Sequence, residues 1–152
     1  MTPTTLQALR RLSFFSVEEA ASMIGGVSAR SWQYWERGER RIPDDVIETM
    51  RRLCAWRQQA IAMTDAQMRT LQDRYGGGHG MTLVWYPTLD DWLTLPGREP
   101  LFWRPHCSVV AELAARHGAQ VIAFDRADYT AWLSGRADSE AMRSQWAAER
   151  AA

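Results

Sequence analysis

A chain of 152 residues, 46% of them hydrophobic, can bury one core or two small ones, and a formal net charge of zero speaks against diffuse attraction to nucleic acid. With no run of eighteen apolar residues it is expected to span no membrane, and its start, MTPTTLQALRRL, lacks the apolar core and cleavage site of a secretory signal. Two cysteines, Cys54 and Cys107, fit neither a disulfide framework nor a zinc cluster, so a reducing, cytoplasmic setting is expected.

In chain order, Thr4-x-x-Gln7 and Ser16-x-x-Glu19 both have the form of a capping box, in which a hydroxyl and a Glu or Gln satisfy free N–H groups reciprocally. They predict helices over about 4–12 and 16–24, the second stopped by Gly25-Gly26. Ser28 is a good N-cap for a third helix that ends at Gly38, and Asp44, after Pro43, caps a fourth running to about residue 74. In that fourth helix Ile47, Cys54, Ile61 and Met68 recur every seven residues, with Met50 and Leu71 on the intervening seam. Arg57 and Thr64 interrupt the seam, so the pattern describes one helix covering a core or a partner helix, and Ile61–Asp65 is the place for a break.

GGGHG at 76–80 reads as a hinge or linker, and the period changes beyond it. MTLVWY at 81–86 reads as a strand, Thr88 as the cap of a helix to about Leu95, and PGREP as a loop. A second short strand is expected at Leu101–Arg104, a helix over His106–His117, a strand at Gln120–Phe124, and helices over about 126–134 and 138–150. The fold class is therefore mainly α with a small α+β C-terminal part: an N-terminal helix-turn-helix bundle, a long connecting helix, and a small sheet with covering helices. Three regions follow: 1–75 with the helix-turn-helix and the long fourth helix, 76–125 as an α+β part, and 126–152 as a helical extension of unassigned role.

All 18 basic residues are arginine, a residue suited to bidentate contact with phosphate or guanine, although a coding sequence rich in G and C gives the same bias. Residues 1–75 carry 11 arginines against 9 acids, and 76–152 carry 7 against 9. The densest stretch is SARSWQYWERGERR at 28–41. On a helix over 29–36, Trp32 and Trp35 share one face, while Arg30, Gln33, Tyr34 and Arg37 line the other. A helix, tight turn and helix with a polar outer face is the geometry whose second helix enters the DNA major groove. Ala21 is small where the two helices would cross, Gly25 permits the turn, and Val27, Trp32 and Trp35 face inward.

Residues 15–43, FSVEEAASMIGGVSARSWQYWERGERRIP, resemble the helix-turn-helix of the phage-repressor (Cro/C1, or XRE) superfamily. SARSWQYWE followed by IPDD is similar to YdiL-like proteins and the anti-CRISPR-associated repressors related to them, a similarity that extends through MTLVWY, TLDDWL and QVIAF to about residue 125. The resemblance implies a homodimeric autorepressor on an inverted repeat in double-stranded DNA, with 76–125 as the dimerisation part. It implies that Ser28, Ala29, Arg30, Gln33 and Tyr34 face DNA. Arg30 would then pair with guanine, Gln33 with adenine, and Tyr34 with a thymine methyl or a phosphate. Ser28, Ser31, Arg37, Arg40 and Arg41 would hold phosphates, and Arg10 would pair structurally with Glu36. Two departures stand out: Val17 occupies the position where many relatives place a phosphate-binding Gln, and Gly26 adds a residue to the turn.

Other readings are carried beside this one. His106-Cys107, with His79 and His117, is the set for metal or thiol chemistry, but no CxxC or HExxH accompanies it, and neither an enzyme nor a cofactor or metal is expected. Asp44-Asp45 and Asp90-Asp91 read as first-turn acids of helices. Trp85, Trp92, Trp103, Trp132 and Trp146 are expected to pack the sheet, some of them against a second subunit. An RNA hairpin in its own message is a rival target, and an antitoxin-like protein-interaction module is a rival class.

Overall fold

The computed structural model describes residues 1–76 and 80–152, so the expected linker at 76–80 falls largely outside them, as does His79. Helix α1 spans Pro3–Leu12. It begins one residue before the expected Thr4 cap because Pro3, which has no N–H to leave unpaired, takes the first helical position. Thr2 is the cap instead, its hydroxyl accepting from the Thr5 N–H at 3.1 Å. The second capping box is present in full at Ser16 and Glu19 and opens α2, Val17–Ala20. This helix runs on as a wider π turn over Ala21–Gly25, where the Gly26 N–H reaches back to the Ala21 carbonyl. Ser28 then caps α3, Ala29–Glu36, through the Ser31 N–H.

Helix α4, Asp44–Tyr75, runs 32 residues without the break considered at Ile61–Asp65, which makes it roughly 48 Å long at 1.5 Å per residue. Asp44 is its first helical residue, so it and Asp45 sit in the first turn, where acids complement the helix dipole. Val46, Met50 and Leu53 of α4 complete an N-terminal core with Leu6, Phe15, Ala20, Ala21, Trp32, Trp35 and Ile42. Further along, Ile61 packs with Val109 and Leu113 in a small cluster of its own.

The C-terminal half contains β1 (Thr82–Trp85), α5 (Leu89–Trp92), a 3-10 turn at Pro100–Phe102, α6 (Trp103–His117), β2 (Gln120–Ala123), α7 (Arg126–Leu133) and α8 (Glu140–Ala151). The two strands are parallel, in register from Thr82↔Gln120 to Trp85↔Ala123, with α5 and α6 forming the crossover that parallel neighbours require. The strand expected at Leu101–Arg104 is not there. Pro100 starts the 3-10 turn and Pro105 lies in the first turn of α6, both positions that favour helix initiation. Trp92, Trp103 and Trp146 are buried around Val84, Tyr86, Phe124 and Tyr129, whereas Trp85 and Trp132 are only partly covered. Helix α8 lies across the sheet and brings Arg143, 1% exposed, into this aromatic core.

Contacts along one side of α6 join the two halves. Arg104 donates to both carboxylate oxygens of Glu19 on α2 at 2.6–3.0 Å. One helical turn on, the Ser108 hydroxyl donates to the Leu12 carbonyl at 2.6 Å and accepts from Arg57 of α4 at 2.7 Å. Trp56 of α4 packs on Phe102 with ring centroids 5.1 Å apart.

Candidate nucleic-acid interface

The inner side of α3 is fixed by two indoles and an acid. Trp32 is fully buried and donates from Nε1 to Glu36 at 2.7 Å, and Trp35 meets it edge to face at 5.5 Å. Glu36 also accepts from Arg10 Nε at 2.6 Å and Nη2 at 3.2 Å, and Arg10 Nη1 donates to the Phe15 carbonyl. Burial alone would raise the Glu36 carboxyl, but hydrogen bonds from Arg10 and Trp32 outweigh it and hold it below the usual carboxylate range. The Arg10–Glu36 pair thus ties α1 to the end of α3. Gly25 acts by size: a Cβ there would lie 3.0 Å from the Trp35 ring and 3.0 Å from Val27. Gly26, at φ 59°, makes the turn itself, and the π turn before it absorbs the additional residue.

On the outer side, Ser28, Arg30, Gln33, Arg37, Arg40 and Arg41 are exposed, with Ala29, Ser31 and Tyr34 half-buried. The two serine hydroxyls bond each other at 3.2 Å at the start of the helix. Tyr34 lies at the centre of a cationic group. Arg30 Nε donates to its hydroxyl at 2.8 Å, and the guanidiniums of Arg30, Arg37 and Arg40 lie 5.7, 5.3 and 4.6 Å from its ring centroid. Such contacts are each worth about 0.5–1 kcal/mol at an exposed site. Arg37 is offset by Glu39 at 2.7 Å and Arg41 by Asp44 at 3.0 Å. Arg30 and Arg40 have no carboxylate partner among the described residues.

Beside this group, α1, α2 and α3 enclose a cleft of about 230 Å³ lined by Gln7, Arg11, Val17, Gln33 and Arg37 among others. Gln7, which the sequence presents only as a capping-box residue, and Arg11 join the interface residues expected from the sequence. Their signal is positional only, on the side of α1 next to Arg10. Val17 lines the cleft without offering a donor, whereas Gln7, Arg10, Arg11, Gln33 and Arg37 bring N–H groups to it.

Among the described residues, His106, Cys107 and His117 each have separate surroundings. His106 Nε2–H donates to the Val84 carbonyl at 3.1 Å, and the ring packs against Trp92 and Tyr86. Cys107 is buried, and burial pushes its thiol up to about 11, away from the nucleophilic thiolate. His117 instead donates to Asp65 at 2.7 Å. Among the described residues no three His, Cys, Asp or Glu are grouped to hold a metal ion. No helix among them is long and apolar enough to cross a membrane.

Residues 1–122 match the family model described as Aca2/YdiL-like. The chain belongs to that family. Among curated relatives, the "Aca2 repressor" of Pectobacterium phage ZF40 is 40% identical over 112 residues, covering 73% of this chain and 90% of the relative. The "Uncharacterized protein YdiL" of Escherichia coli (strain K12) is 33% identical over 112 residues, covering 72% and 90%. The Aca2/YdiL-like match takes in all of α3, its arginines and α6, and stops within β2. Helices α7 and α8, with the buried Arg143 and Trp146, lie beyond it.

Proposed function

We propose that this chain is a sequence-specific DNA-binding transcriptional repressor that binds an inverted repeat as a homodimer and controls its own promoter. The observation that carries the reading is the convergence of Arg30, Arg37 and Arg40 on Tyr34, on the face of α3 turned away from the buried indoles. The relative named as a repressor supports it. Three guanidiniums around one ring, two of them without a carboxylate partner among the described residues, form a local cationic surface that phosphates neutralise on binding.

In this reading Arg30 leaves the Tyr34 hydroxyl to pair with guanine, and Gln33 reads a neighbouring base from the middle of the helix. Arg37 and Arg40 hold phosphates, as do Ser28, Ser31 and, more weakly because Asp44 already occupies it, Arg41. Ala29 lets the helix start approach the groove. Tyr34 acts chiefly by gathering the arginines. Residues 1–75 bind DNA and 76–125 form the dimer, with recognition helices roughly 34–36 Å apart. Neither catalysis nor a cofactor enters, and the site of action is the cytoplasm. Guanidiniums cover the Tyr34 ring, which weighs against its stacking on an unpaired base and favours duplex DNA over an RNA hairpin.

A gel-shift titration tests this, using the duplex upstream of the gene, random duplex and the transcribed leader RNA, with salt varied. Wild type is expected to prefer the upstream duplex in a salt-sensitive way. Arg30→Ala is expected to cost about 1–3 kcal/mol of specific binding with an unchanged melting temperature. Equal binding to upstream and random duplex overturns autorepression.

A further inference from the structure

The contacts between α6 and the N-terminal helices do more than bury surface. A recognition helix joined to its dimer part by a single helix would still swing, because a lone helix bends and the cores at its two ends can twist about its axis. Here α4 passes through both halves, and α6 adds two attachments away from that axis. Ser108 links the end of α1 to Arg57 of α4 at 2.6 and 2.7 Å. Arg104, four residues earlier and so on the same side of α6, grips Glu19 with three contacts of 2.6–3.0 Å.

Glu19 is not an ordinary surface acid. It completes the capping box of α2, accepting from the Ser16 N–H at 2.9 Å, and α2 packs directly on α3. The guanidinium that reaches it is itself stacked 3.9 Å from the Trp103 ring centroid, at the edge of the C-terminal core. The pair is more than two-thirds buried on both sides, with side-chain exposures of 29% and 23%. A path of direct contacts therefore runs from Trp103 through Arg104 and Glu19 to α2 and α3.

We infer that Arg104 and Glu19 are positioning residues that fix how far apart, and at what rotation, the two recognition helices stand in the dimer, and so which spacing of half-sites is accepted. This rests on the dimeric DNA-binding reading above. Each base pair added between half-sites turns one of them by roughly 35° about the duplex axis, so a rigid joint rejects it and a loose joint follows it.

The test uses the full chain and a half-site selected from a random duplex pool, placed as inverted pairs whose separation varies one base pair at a time. Wild type is expected to lose about tenfold in affinity one base pair from its best spacing, the scale of one mismatched base pair. Arg104→Met, which keeps the stem and removes the charge, is expected to lose less than about threefold for the same step, with unchanged affinity for a single half-site. Glu19→Gln, which keeps an oxygen for the Ser16 cap, is expected to behave alike, and melting curves of both variants check that they fold. A wild-type spacing preference that both folded variants retain overturns the positioning role alone. A wild type that binds DNA with no spacing preference, or does not bind specifically, overturns it together with the dimeric reading.

Discussion

In the C-terminal half, Arg98 lies between the rings of Tyr86 and Trp92, with centroids at 4.3 and 4.0 Å, and bonds Glu140 at 2.8 Å. Arg143 is enclosed by Phe124, Tyr129 and Asp138, and every arginine beyond residue 76 except Arg136 pairs with a carboxylate. Around α3 the same residue type is used the other way. Arg30 and Arg40 stand exposed against Tyr34, with no carboxylate partner among the described residues. The zero net charge of the chain thus combines a half whose cations, Arg136 apart, meet carboxylates, some of them on α2 and α4, with a helix face where Arg30 and Arg40 meet none among the described residues. For a charged ligand, the position of the unmatched arginines matters and the total does not.

Three perturbations separate the two uses, in decreasing order of effect. Trp32→Ala removes a fully buried indole and the Glu36 hydrogen bond, and is expected to cost roughly 3–5 kcal/mol in urea unfolding. Specific binding should fall with it, because the face that presents Arg30 has lost its support. Arg143→Met removes the buried partner of Asp138, whose side chain is 25% exposed and keeps Tyr129, and is expected to cost about 2–3 kcal/mol by the same measurement. If that variant is as stable as wild type, the inward arginines are not structural and the comparison fails.

The smallest effect is in pH. Burial holds the His106 pKa below its usual 6.5 against a bond to the Val84 carbonyl that would raise it, with Arg98 lowering it further and Glu140 raising it. Below about 6.5 the unfolded chain takes up a proton that the folded chain resists, so stability is full above that pH and declines as pH falls from it. Glu36 and Asp138, with depressed pKa values, lose their contributions only as pH falls below the ordinary 4.5 and 3.8. The melting temperature should therefore drop between pH 7.5 and 5.5, and drop less in His106→Gln.

The face of α3 was legible because a helix of known start has fixed sides: Ser28 set the start, and the indoles then had to face inward. Arg10–Glu36 came from family resemblance, since nothing in the spacing of residues 26 apart demands the pair. The grouping around Tyr34 was missed. Periodicity places side chains on a face but does not say that three will turn toward one ring. Leu101–Arg104 was misread because four residues with two aromatics fit a strand as well as a helix start, and the flanking prolines decided it. The Arg104–Glu19 contact joins residues 85 apart and has no local signature at all.

The unbroken α4 also restricts how this chain can change in length. A residue inserted or deleted between its N-terminal and C-terminal contacts would turn everything beyond that point by roughly 100° and separate Arg104 from Glu19. Insertions and deletions inside α4 are therefore the least tolerable changes of length. The chain's end is free of that demand, since α7 and α8 follow the last strand and can be added onto the sheet without rotating anything before them.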